Sequence, residues 1–273
     1  MNRMIKRMAG MQPYFFPYIG YWQLINSVDC FVLFDEAQYM KQGWVNRNRI
    51  LKPNGGWQHI IVPLKKHAMT ESIKNVEVCP DKNWKELIVR QLAHYKKKAR
   101  YFDETIEIIN EILFENNEKN ISSINYTAIK KLCKYLDIKT RIIFSSEQNF
   151  DYSNVNETGD WALRHSEQLG ASELINPIAG AALFDLEKFA SSNIKLSFLR
   201  SLDVVYPQLD VFEPSLSIID VLMFNGIEGT KGFLENCAIE TEKEMSDYWK
   251  VLYDSISEKF DGSLLKQVGK TIN

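Results

Sequence analysis

The fold is decided between Met8 and Glu36, in the stretch MAGMQPYFFPYIGYWQLINSVDCFVLFDE. Met8 to Met11 reads as a short strand that runs into a loop bounded by Pro13 and Pro17. Proline fixes φ and lacks an N–H, so strand pairing ends there. Tyr18 to Ser27 predicts a short helix. Cys30 to Phe34 is an unbroken apolar run of strand length that ends in Asp35 and Glu36. A strand with no polar alternation is buried on both faces, as in a parallel sheet. Ligands of open α/β sheets sit in the loops beyond the strands' carboxyl ends. Gln12, Tyr14 and Asp35 occupy such positions.

Farther along, Asn54-Gly55-Gly56 is a hairpin turn signal, and Trp57 to Leu64 follows as a strand. Trp84, Leu87, Ile88, Leu92 and Tyr95 recur at helical spacing, as do apolar residues over 106–113 and 124–136. Arg141 to Phe144, Glu173 to Asn176 and Ile194 to Leu199 read as strands. Trp161 to Leu169 reads as a helix stopped by Gly170, and Ser215 as the cap of a helix ending at Gly226. The pattern predicts an α/β domain over residues 1–236. It has a mostly parallel, Rossmann-like sheet and a helical insertion around 83–137. Residues 237–273 read as a C-terminal helix and tail. Met245, Trp249, Leu252, Ile256 and Phe260 share a helical face there, suited either to docking on the chain's own domain or to a homo-oligomer contact.

Of 273 residues, 33 are Lys or Arg and 35 Asp or Glu, a formal net charge of -2. Such a balance gives no global attraction to nucleic acid or acidic membrane. Only the cluster Lys96, Lys97, Lys98 and Arg100 is locally basic; it reads as a solvated helix end or as an RNA-backbone contact. Four widely spaced cysteines form no CxxC pair, and four histidines make no HExxH or HxH pattern, so no metal is expected. With no apolar run of membrane-spanning length and no export signal, the sequence predicts a cytoplasmic protein.

Chemistry-bearing residues concentrate between Gln12 and Arg49. Tyr14 belongs to an aromatic loop stiffened by two prolines. Asp35 closes an apolar strand, where desolvation raises a carboxylate toward a useful general base. Gln38 follows it. Trp44-Val-Asn-Arg-Asn-Arg-Ile50 sets Asn46 and Asn48 on one side of an extended segment and Arg47 and Arg49 on the other. Arginine forks suit carboxylate or phosphate groups. Asn176-Pro-Ile-Ala-Gly-Ala-Ala182 follows a strand with small residues that permit close backbone approach, and Tyr206 offers a hydroxyl donor.

Taken together, these segments resemble the WbqC-like protein family. The matching strings are Gln12 to Gly20, Phe31 to Tyr39, Gly43 to Ile50, Trp57 with Val62-Pro63, Leu169 to Ala171 with Asn176-Pro177, Val205 to Gln208 and the Pro214-to-Gly226 helix. Many members carry His before the Gln-Pro pair, where this chain has Met11. The resemblance implies a setting in O-antigen and other surface-polysaccharide (lipopolysaccharide) synthesis. From it follows an expected activity: transfer of an aminoacyl group such as glycine, or another acyl group, to the amine of a nucleotide-linked amino sugar. In that reading Asp35 takes the amine's proton while Gln12 and Asn46 position the carbonyl. Tyr14, Gln38, Trp44, Arg47, Arg49, Asn176 and Tyr206 bind the substrate. The activated donor stays open among aminoacyl-tRNA, an acyl thioester and an ATP-derived adenylate; tRNA would use Lys96 to Arg100. The alternative is a non-catalytic sugar-nucleotide-binding or assembly protein of the same pathway.

Overall fold

The computed structural model describes residues 5–80, 82–115, 117–202, 204–208, 211–241 and 243–244. The helical face read at Met245 to Phe260 lies outside the described residues. In chain order the elements are β1 (Arg7–Met11), α1 (Ile19–Asn26), β2 (Cys30–Leu33), β3 (Arg47–Leu51), β4 (Trp57–Ile61), α2 (Trp84–Leu92), α3 (Phe102–Phe114) and α4 (Ile121–Tyr135). Then come β5 (Arg141–Phe144), α5 (Asp160–Leu169), β6 (Glu173–Pro177), α6 (Leu186–Ser191), β7 (Lys195–Ser201), α7 (Ile218–Phe233) and β8 (Cys237–Thr241). Six strands are hydrogen-bonded in the order β5-β2-β1-β6-β7-β8, and the β2–β5, β1–β6 and β6–β7 pairs are parallel. The fold is therefore α/β with a mostly parallel, Rossmann-like sheet. β3 and β4 form a separate antiparallel hairpin.

The chain divides into two compact units. The first comprises Ala9–Asn149 and Ser201–Cys237. All four residues of β2 are buried there, as the apolar run requires. Helix α1 is buried from Ile19 through Ile25, with no polar face. Its single buried amide, Gln23, donates from Nε2 to the carbonyls of Phe233 and Asn236 at 2.8 and 3.0 Å. Burying Trp22 and Leu24 contributes on the order of 2–3 kcal/mol each. Helices α2 to α4 make up the helical stretch, each with one buried face: Trp84, Ile88 and Leu92 on α2; Ile108, Ile109 and Ile112 on α3. Asn120 caps α4 by accepting from the Ser122 N–H at 3.0 Å.

Helix α7 differs from the sequence reading at both ends. Its cap is Ser217, not Ser215, which sits outside the helix at φ 55. Ser217 wins because its hydroxyl also donates 2.7 Å to the Phe16 carbonyl, anchoring the helix start to the aromatic loop. Gly226 breaks the helix at φ 63, ψ -171 without ending it, and the chain continues helically to Phe233. A Cβ at Gly226 would stand 2.6 Å from the Tyr101 ring, so both the positive φ and the close approach demand glycine.

The second unit comprises the described residues up to Met8, Phe150–Arg200 and those from Ala238. Gly170 ends α5 in the left-handed conformation, φ 67, as its sequence position predicts. Helix α6 has no strong apolar period; Asp185 starts it by accepting from the N–H groups of Glu187 and Lys188. Strand β8, Cys237–Thr241, begins the segment that the sequence reads as a C-terminal helix and tail.

Candidate functional site

Positive φ at Gly55 and Gly56, 90° and 66°, turns β3 back into β4. The register pairs Arg47 with Ile61, Arg49 with His59 and Leu51 with Trp57. Because strand side chains alternate, these residues share one face, which leaves Asn48, Ile50 and Ile60 buried on the other. The Arg49 guanidinium stands over two indoles, 5.4 Å from the Trp44 centroid and 5.3 Å from that of Trp57. It donates once, from Nη2 to the Ser215 carbonyl at 3.2 Å, while its Nε is shielded from water with no acceptor. Arg47 is held by the carbonyls of Gly43 and Gln42. The two arginines, after burial, push the His59 imidazole below its ordinary pKa, toward the neutral form. Thus Arg47 and Arg49 share a face of β3 and Trp44 stands against Arg49, with Trp57 and His59, neither of them a site candidate from the sequence, on the same face. Their signal was available: with the turn at 54–56 fixed, a period of two places Trp57 and His59 on the arginine face.

The aromatic loop after β1 is stitched to this hairpin. Asn48, 3% exposed, donates to the carbonyls of Phe15 and Phe16 at 3.0 Å each. The Phe15 N–H donates to the Trp44 carbonyl at 3.0 Å. Asn125 bridges the carbonyls of Pro13 and Val45 at 2.7 and 2.8 Å. The Tyr14 ring lies 5.5 Å from that of Tyr21, and burial lifts its phenol to about 12. The Tyr21 hydroxyl donates 2.9 Å to the Gln12 carbonyl, fixing the loop's first residue.

Asp35, 3% exposed at the end of β2, has both oxygens engaged. Ser145 Oγ donates to Oδ1 at 3.0 Å, the Ser146 N–H to Oδ1 at 3.2 Å, and Ser146 Oγ to Oδ2 at 2.7 Å. The two serines follow β5, the parallel neighbour of β2, so both strands deliver their carboxyl ends to one spot. Gln38 donates to the Met69 carbonyl and Asn46 to that of Val62, while Asn46 Oδ1 accepts from the Tyr39 hydroxyl at 2.8 Å. Both amides tie backbone segments together.

Tyr206 spends its hydroxyl inside the first unit, on Asp220 Oδ2 at 2.7 Å. Asp220, fully buried on the first turn of α7, also accepts from Tyr95 at 2.6 Å and Gln208 at 2.8 Å. Burial raises its carboxyl to about 6 despite those three donors. Gln208 in turn pairs with the Glu213 backbone through 3.1 and 2.6 Å bonds, two residues before the Ser215 carbonyl that holds Arg49. Lys96, Lys97, Lys98 and Arg100 are exposed around a 3-10 turn, Ala93–Lys97.

Asn176 belongs to the second unit, where its amide donates to the Pro177 carbonyl at 3.3 Å. A Cβ on Gly180 would lie 2.7 Å from that amide, so Asn176 itself fills the space the small residues leave. A polar hollow of about 470 Å³ in the same unit is lined by residues including Asp160, Arg164 and Lys188, with Lys188 paired to Asp160 at 2.9 Å. Among the described residues no group of three or more His, Cys, Asp or Glu is placed to hold a metal ion, and no helix is long and apolar enough to cross a membrane.

Comparison with known proteins agrees with the strings quoted above. The model of the WbqC-like protein family matches residues 12–232. Uncharacterized protein Rv1507c of Mycobacterium tuberculosis (strain ATCC 25618 / H37Rv) is 29% identical over 230 residues, covering 82% of this chain and 96% of that protein. No solved structure matches significantly. With the family model spanning the aromatic loop, the arginine hairpin and most of α7, the chain belongs to the WbqC-like protein family.

Proposed function

We propose that the chain transfers an aminoacyl group, glycyl included, or another acyl group to the amine of a nucleotide-linked amino sugar in surface-polysaccharide synthesis. The observation that carries this reading is the face shared by Arg47 and Arg49, with Trp44 against the Arg49 guanidinium. Two guanidinium groups held in place on one strand suit the diphosphate of a sugar nucleotide.

Supporting the transfer step is the carboxylate at the end of β2. The uncharged sugar amine attacks the acyl carbon and a C–N bond forms. The bond from that carbon to the donor's oxygen or sulfur breaks, and the leaving atom keeps the electron pair. The surplus amine proton passes to Ser146 Oγ as the Ser146 hydroxyl proton moves to Asp35 Oδ2, along the 2.7 Å hydrogen bond. Gln12 orients the acyl carbonyl, and Asn46 acts through Tyr39 and Val62 as a positioning residue. The donor is an aminoacyl ester of tRNA, an acyl thioester or an acyl adenylate.

Mass spectrometry of an aminated nucleotide sugar, incubated with the chain and each donor class in turn, is expected to show the amide product with one of them. Asp35→Asn is expected to lower kcat by about a hundredfold or more with nucleotide-sugar affinity unchanged. No amide with any donor class would sink the transfer reading. A second reading, a non-catalytic sugar-nucleotide-binding protein, is favoured by one observation: every Asp35 oxygen already accepts a hydrogen bond. It predicts nucleotide-sugar binding without turnover.

A further inference from the structure

Two residues of the hairpin face have no part in the function described above. Trp57 leaves 39% of its surface exposed, on the strand beside the arginines. His59, directly opposite Arg49, holds its ring 4.9 Å from the Trp57 ring at 74°. The face thus offers a flat apolar surface, two fixed cations and an imidazole N–H side by side. The Glu213 carboxylate lies 4.0 Å from where a Gly56 Cβ would stand, at the far end of the hairpin from Arg47.

The Arg49 Nε is shielded from water, so a ligand reaches this guanidinium at its Nη groups, where Nη2 donates to the Ser215 carbonyl at 3.2 Å. An anionic oxygen that meets those Nη groups makes charge-assisted hydrogen bonds to them. A cation beside a stacking surface is the arrangement that takes a phosphate and a base from one molecule.

We propose that Trp57 and His59 complete a nucleoside-diphosphate site on the hairpin face: the base stacks on Trp57, and His59 donates to the diphosphate held by Arg47 and Arg49. This rests on the sugar-nucleotide reading above and adds to it the residues that distinguish a nucleotide from bare pyrophosphate. Both side chains stand on the solvent side of β4, so their removal spares the core formed by Ile50 and Ile60.

The test is calorimetric titration of the full-length chain with UDP, ADP, pyrophosphate and uridine. In Trp57→Ala, affinity for the better nucleotide is expected to fall by about tenfold while pyrophosphate affinity stays within about twofold. In His59→Ala, both are expected to fall by about tenfold. Unchanged nucleotide affinity in both variants, with loss in Arg47→Ala, overturns this inference and leaves the sugar-nucleotide reading standing. Wild-type chain that binds neither nucleotide nor pyrophosphate overturns both. A CCA oligonucleotide that binds tighter than either nucleotide and is lost in Trp57→Ala overturns the nucleoside diphosphate as occupant and assigns the face to RNA.

Discussion

Replacing Asp220 with Asn probes the buried network behind the arginine face. Asp220 has no exposed surface and accepts from Tyr95, Tyr206 and Gln208. Desolvation outweighs those bonds, so its carboxyl titrates near about 6 in the folded chain, against an ordinary 3.8. The native state therefore binds this proton more readily than the unfolded chain does. The resulting stability is fully present below pH 3.8 and is lost as pH rises through about 6. The whole effect is about 3 kcal/mol, of which about 2 kcal/mol falls between pH 4.5 and 7.5. The amide introduced by Asp220→Asn carries no titration. It also presents N–H to a tyrosine hydroxyl that now donates, so one bond is lost at every pH. Urea denaturation followed by tryptophan fluorescence, on both proteins at the two pH values, reads the difference. The stability of wild type relative to Asp220→Asn is expected to be about 2 kcal/mol greater at pH 4.5 than at 7.5. The same difference at both pH values would refute the desolvated-carboxylate reasoning.

Asn48→Ala removes two donors from the carbonyls of Phe15 and Phe16 and is expected to cost about 2–4 kcal/mol in chemical denaturation. If its cost is below about 1 kcal/mol, the amide is not the stitch between loop and hairpin. Gly226→Ala places a methyl 2.6 Å from the Tyr101 ring at φ 63 and is expected to lower stability by more than about 2 kcal/mol, read as a drop in Tm. Reversing Lys96, Lys97 and Arg100 to Glu is expected to abolish salt-sensitive tRNA binding if aminoacyl-tRNA is the donor. A filter-binding curve unchanged by the three reversals removes tRNA contact from that surface.

Local signals carried most of the fold. The Cys30–Leu33 strand was legible because four consecutive apolar residues have no reason to be adjacent unless both faces are covered. Gly170 and the Asn54-Gly55-Gly56 turn were legible because positive φ is a property of a few residue types. Alternation on one extended segment was enough to unite Arg47 with Arg49. What escaped depends on partners distant in sequence. Ser215 reads as the cap because nothing local reveals that Phe16, 201 residues from Ser217, holds the Ser217 hydroxyl instead. Asp220 is hidden in an apolar helix, and its donors lie at 95, 206 and 208. Tyr206 was readable as a donor, but its acceptor was not. Asp35 showed its strand-end position, while the serines that occupy its oxygens follow β5, 110 and 111 residues later.

A difference electron-density map from crystals grown with a nucleotide-linked amino sugar tests the proposed site most directly. The expected result is the diphosphate on the hairpin face, with its oxygens about 3 Å from the Arg47 and Arg49 guanidinium groups. Density for the ligand in the Asp160–Lys188 hollow, with the arginine face empty at saturating ligand, would contradict it.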